Sequence, residues 1–117
     1  MQENGYKDLI VWQKAMDLVI VVYELTSKLP KTETYGIISQ MQRAAVSIPS
    51  NIAEGSRRKT KNDTNHFFTI AFGSGAELET QIEIIKRLPF GKDLDYKKSD
   101  DLLKEVMKML NKMTNYY

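Results

Sequence analysis

Residues 39–58, SQMQRAAVSIPSNIAEGSRR, decide how this chain folds. Met41, Ala44, Ala45, Ile48 and Ile52, with Ile37 just ahead of them, recur at three- and four-residue intervals and make one apolar helix face. Gln40, Arg43, Ser47, Asn51 and Glu54 recur at the same intervals and make a polar column beside it. Pro49 falls inside the pattern. Lacking a donor and crowding the preceding turn, it kinks the helix or splits it. Gly55 reads as a stop, and Arg57, Arg58, Lys59 and Lys61 follow it. The spacing predicts a helix over about residues 34–56.

Three more helices flank this one. Upstream, about residues 7–28 carry two neighbouring apolar stripes. One is Leu9, Trp12, Met16, Val19 and Tyr23, and the other is Val11, Ala15, Leu18, Val22, Leu25 and Leu29. Ile20 and Val21 add apolar groups on the far side, and Pro30 ends the segment. The β-branched run at 19–22 also suits a buried strand, but helical periodicity held over the whole segment outweighs it. Downstream, Asn62, Asp63 or Thr64 is placed to cap a helix over about residues 63–88, with Phe67, Phe68, Ile70, Ala71, Phe72, Leu78, Ile82 and Ile85 as its apolar positions. Gly73 and Gly75 lie in its middle and each costs about 1 kcal/mol relative to alanine there, which a close approach to a neighbouring helix would explain. Pro89 and Gly91 close the segment, and Leu102, Leu103, Val106, Leu110 and Met113 mark a fourth helix over about 97–115.

A chain of 117 residues fits one domain with a single modest core. Four helices joined by short loops predict an all-α, antiparallel, up-and-down, left-handed four-helix bundle over residues 1–117. The apolar surface of the first helix exceeds what one small bundle buries, which points to self-association. There is no cysteine, so disulfides and thiolate metal sites are excluded. The first residues lack the apolar core of a signal peptide, and the longest apolar run, 18–23, is far short of the roughly 20 residues of a membrane span. The expectation is a cytoplasmic protein without membrane attachment. A net charge of +2 implies nothing about nucleic acid, so any electrostatic reading rests on where charges cluster.

With the helices placed, the chain resembles the four helix bundle proteins, also called ribosomal RNA intervening-sequence proteins. The resemblance is carried by YKDLIVW at 6–12, Tyr35 and Gly36, QMQR at 40–43, Ala44 and Ala45. It continues through SIPSNIAEG at 47–55, Arg58, Phe67, Ala71, Gly73, Ser74 and ELE at 77–79. The block at 47–55 is the most specific of these. The family includes genes lying inside intervening sequences of bacterial large-subunit ribosomal RNA. It is also similar to the accessory variability determinants of diversity-generating retroelements, which form basic pentameric barrels, bind nucleic acid and assist a reverse transcriptase. The resemblance implies a homopentamer, and RNA, DNA or a reverse transcriptase as partners.

Two features stand out as candidate sites. The polar column of Gln40, Arg43, Ser47, Asn51 and Glu54 reads as a hydrogen-bonded network between helices or subunits, with Arg43 paired to Glu77, Glu79 or Glu83. A binding groove is its functional alternative. Arg57, Arg58, Lys59 and Lys61 place four cations in five positions beside Thr60, Asn62 and Thr64. They suit a phosphate backbone, or else form a solvated loop whose cations favour the negative carboxyl end of the preceding helix. A five-fold ring would gather them into a band. The lysines at 97, 98, 104, 108 and 112 read as an ordinary solvated surface.

Nothing in the chain composes a catalytic constellation. His66 is the only histidine and has no cysteine, aspartate or second histidine at ligand spacing. Ser39, Ser47, Ser50, Ser56 and Ser74 lack a histidine base in a nucleophile arrangement. Glu77, Glu79 and Glu83 lack the Glu-x-x-His pattern of bundle di-iron sites. Gly73 and Gly75 neither follow a strand nor open a helix, so they make no phosphate loop. The methionines, and the tyrosines at 116 and 117, read as packing groups. The expectation is a non-enzymatic, homo-oligomeric protein without metal or cofactor. It would serve as a nucleic-acid accessory factor of low sequence specificity, or alternatively as a protein-interaction scaffold.

Overall fold

The computed structural model describes residues 5–114, which form four long helices: α1 (Ile10–Thr26), α2 (Ser39–Ser56), α3 (Lys61–Lys86) and α4 (Lys97–Thr114). A 3₁₀ turn, Gly5–Asp8, leads into α1. A second, Lys31–Glu33, and a wide π-type turn, Thr34–Ile38, broken at Gly36, lead into α2. Each helix packs against its neighbours in sequence and α1 also meets α4, the pattern of an up-and-down bundle. No strand occurs among the described residues. No described helix is long and apolar enough to cross a membrane. Asn115, Tyr116 and Tyr117, assigned above to the last helix and to packing, lie outside the described residues.

The two apolar stripes of α1 have different fates. Val11, Ala15, Leu18, Val22, Leu25 and Leu29 are all buried. Of the other stripe, Trp12 and Val19 are half-buried while Met16 and Tyr23 are exposed, as is Ile20 on the far side. Leu18 and Val22 pack with Met41, Ile48, Ile52, Leu78, Ile82, Ile85, Val106 and Leu110 into one core. Each large side chain fully buried there stabilises the fold by about 1.5–3 kcal/mol. The α1–α2 pair is further tied by Gln42 Nε2, which donates to Thr26 Oγ1 at 3.1 Å.

Several local expectations need correction. Pro49 does not split the second helix, because α2 runs unbroken from Ser39 to Ser56 with Pro49 buried inside it. Gly55 is not the stop, since the helix passes through it. A Cβ there would sit 2.9 Å from the Phe68 ring, so it is the absent side chain that lets α3 close in. The third helix begins two residues before its expected start, at Lys61, because Thr60 Oγ1 accepts from the Asp63 amide at 3.1 Å and supplies the cap. Gly75 follows expectation, with Met107 of α4 occupying the space of its missing Cβ. Gly73 does not: a Cβ there would meet nothing within 4 Å among the described residues.

The loop between α3 and α4 is pinned by Tyr96, whose hydroxyl donates to the Gly91 carbonyl. Lys86 spans α3 and α4, reaching Asp100 at 2.7 Å and Glu83 at 2.9 Å. Lys14 of α1 meets Glu105 of α4 at 2.7 Å.

Candidate nucleic-acid interface

The four cations sit at the α2–α3 corner. Arg57 caps α2, its amide shared between the Ala53 and Glu54 carbonyls at 3.2 and 3.3 Å. Lys61 opens α3. The corner therefore joins the negative carboxyl end of one helix to the positive amino end of the next, and Lys61 lies where a helix dipole disfavours a cation. All four side chains are exposed.

Aromatic rings hold two of them. The Arg57 guanidinium carbon lies 5.2 Å from the centre of the Tyr6 ring, and Tyr6 in turn meets Trp12 edge-on at 5.4 Å. The Arg58 guanidinium lies 4.6 Å over Phe67 and also reaches Glu54 Oε2 at 3.0 Å. A cation–π contact of this kind contributes about 0.5–1 kcal/mol at exposed sites and holds the guanidinium near the ring. Among the described residues, Lys59 and Lys61 form no ion pair. The corner thus presents two ring-held planar cations and two free ammonium groups. Sequence reasoning missed the aromatic supports. Tyr6 lies far from the cluster in sequence, and Phe67 reads as core by periodicity although it is only half-buried.

The neighbouring hydroxyls are occupied by the fold. Thr60 caps α3, and Thr64 Oγ1 donates to the Gly55 carbonyl at 2.9 Å. They fasten the corner, and because Thr60 only accepts in its cap its O–H remains able to donate.

The polar column separates into three parts. Ser47 and Asn51 form a true network: Asn51 Nδ2 donates to the Ser47 carbonyl at 2.8 Å and to Ser47 Oγ at 3.0 Å. Ser47 Oγ lies 2.8 Å from Ser74 Oγ of α3. Glu54 turns instead to Arg58. Gln40 and Arg43 are exposed, and among the described residues Arg43 has no ion pair with Glu77, Glu79 or Glu83. Ser74 was visible in the sequence as an available hydroxyl and as part of the family resemblance, but not as the partner of Ser47.

On α4, Lys97 pairs with Asp101 at 3.0 Å, and this hydrogen bond raises the Lys97 pKa above its ordinary value. His66 is exposed with its ring edge-on to Phe67 at 5.1 Å. No group of three potential metal ligands occurs among the described residues.

Comparison with known proteins bears on the whole fold. A family model described as 23S rRNA-intervening sequence protein matches residues 7–112. No curated protein matches the chain. Among solved structures, the chain is similar to a protein of unknown function from the S23 ribosomal protein family of Bacteroides thetaiotaomicron, with a TM-score of 0.78 and 19% identity. That match covers 91% of this chain and 99% of the other, and it shows a shared fold. With the family model spanning all four helices, the chain belongs to the 23S rRNA-intervening sequence protein family.

Proposed function

We propose that this protein is a non-enzymatic, self-associating bundle that holds the phosphate backbone of RNA or DNA with little sequence specificity, as an accessory factor in the cytoplasm. The observation that carries this reading is the α2–α3 corner, where Arg57, Arg58, Lys59 and Lys61 are all exposed and two are held by aromatic rings. Planar guanidinium groups suit phosphate oxygens, and ammonium groups add charge without demanding a sequence. The family's description, which names an intervening sequence of 23S rRNA, makes RNA the first probe. Exposed apolar residues on α1 support self-association, and the family resemblance implies five subunits. A ring repeats the corner around its axis, so a single strand meets several copies at once and gains by multivalency.

Retention of a labelled single-stranded RNA, and of a DNA duplex, across a salt series tests the reading. Four phosphate contacts per subunit give a log–log salt slope of about −3 to −4 per engaged subunit, at roughly 0.7–0.9 per contact. Neutralising all four cations to glutamine is expected to abolish retention. Absence of binding at low salt, or binding untouched by the substitutions, overturns it. The protein-interaction scaffold is then the reading to pursue.

A further inference from the structure

Two partly apolar surfaces lie on adjoining sides of the bundle. On the α1–α2 side, Met16 and Tyr23 share a stripe of α1, and Val46 borders the same open groove as Tyr23, Arg43 and Ser47. On the α2–α3 side, Ile70, Gly73, Glu77 and Ile84 fall on one stripe of α3. Every large apolar member of the two sets is between 39% and 45% exposed.

Among the described residues of its own chain, nothing requires glycine at position 73. Gly75 makes room for Met107, but a Cβ on Gly73 would meet nothing within 4 Å among the described residues. An interior helix glycine costs about 1 kcal/mol relative to alanine. Bare backbone beside an exposed isoleucine is the relief that lets another surface come close.

The register within one subunit shows what could meet across two. The Ser47–Ser74 contact sets antiparallel α2 against α3, so Arg43 falls level with residue 78, beside Glu77, and Ile52 falls level with residue 69, beside Ile70. The Gln42–Thr26 bond sets α1 against α2, so Tyr23 falls level with Ala45 and Met16 with Ile52. At about 1.5 Å per residue, these offsets are small. The two sides therefore carry matching groups at matching heights: Met16 with Ile70, Val46 and Tyr23 with the Gly73 relief, and Arg43 with Glu77. The charges are complementary, and neither forms an ion pair among the described residues. Glu77 accepts from Gln81 Nε2 at 3.3 Å.

We infer that the α1–α2 face of one subunit, through Met16, Tyr23, Val46 and Arg43, docks on the α3 face of a second copy, through Ile70, Gly73 and Glu77, with an Arg43–Glu77 ion pair crossing the junction. This rests on the self-association proposed above and names its two faces. The contact is head-to-tail, because the faces differ and complement one another. Burying the α1–α2 face against itself at the same height would oppose Arg43 to Arg43. Equal heights mean that the rotation relating neighbours carries little rise, so successive contacts close into a ring instead of climbing into a filament.

Mass by light scattering, with helicity checked by circular dichroism, tests it. Val46→Lys and Gly73→Lys place charge on exposed sites of the two faces and are each expected to yield folded monomers. Mixed together they retain one intact junction and should form a dimer. Arg43→Glu and Glu77→Arg should each disrupt assembly, and the double exchange should restore it. A wild-type protein that is monomeric at every concentration overturns self-association and this inference together. An assembled wild type whose mass survives Val46→Lys and Gly73→Lys overturns the faces and leaves self-association standing. Monomeric variants that stay monomeric on mixing overturn the head-to-tail arrangement, and a double charge exchange that restores nothing overturns the ion pair.

Discussion

Met107 of α4 occupies the space in which Gly75 of α3 would carry a Cβ, with its sulfur nearest that position. The α3–α4 contact at this point therefore uses the space of a missing methyl group. Gly75→Ala raises helix propensity yet forces the flexible, half-buried Met107 side chain aside, and the net expectation is a loss of no more than about 1 kcal/mol in urea unfolding. Shortening the partner with Met107→Ala should recover part of that loss, giving a non-additive double-mutant cycle. At Gly73, where the space is open, alanine should cost the isolated subunit nothing and add up to about 1 kcal/mol.

The serine pair across α2 and α3 has an unequal dependence on its two members. Ser47 accepts from Asn51 as well as meeting Ser74, so Ser47→Ala removes two hydrogen bonds and leaves Asn51 its bond to the carbonyl of residue 47, whereas Ser74→Ala removes one and leaves Ser47 with Asn51. Both sites are half-buried. The expected order in chemical denaturation is a loss of about 1–2 kcal/mol for Ser47→Ala and a smaller one for Ser74→Ala. Equal losses would mean that the Asn51 link contributes nothing.

At the basic corner, Glu54 competes with phosphate for Arg58. Glu54→Gln removes that competitor and should strengthen RNA retention while steepening its salt slope by up to about one contact's share, roughly 0.7–0.9. Tyr6→Leu, by contrast, removes the ring beneath Arg57 without changing any charge. It should weaken retention with little effect on the slope.

Alkaline pH should loosen the α3–α4 end. Hydrogen bonds to Asp100 and then Glu83 raise the Lys86 pKa above 10.5, and burial raises that of Tyr96 above 10.0. In both cases the folded state favours the protonated form. The stabilisation is therefore complete below the ordinary values and is lost as pH climbs through the raised ones. Urea midpoints compared at about pH 8 and about pH 11 should fall further for the wild type than for a Lys86→Met, Tyr96→Phe double variant. The Lys86 share is held to about 1 kcal/mol or less because its side chain remains 29% exposed.

How much of this was legible beforehand differs by element. The helices were, because each apolar stripe repeats within its own segment. The polar column was legible as a column, but its division was not. Ser47 and Asn51 found Ser74, Glu54 found Arg58, and Arg43 found no carboxylate among the described residues of its own chain. Side-chain spacing on one helix says nothing about what a second helix brings opposite. The basic corner was legible as four cations, while the rings that hold Arg57 and Arg58 come from Tyr6 and from the next helix.

Sequence by itself determined the four helices, the all-α class and the location of the charges, because helical periodicity and clustering are properties of neighbouring residues. Tertiary structure alone decided which stripe of α1 enters the core and which stays at the surface. It also turned Gly55 from a stop into a contact and left Gly73 bare while Gly75 was filled. These outcomes depend on the rotation and register of each helix against its neighbours. Packing summed over the whole core fixes those two quantities, and no single segment encodes them.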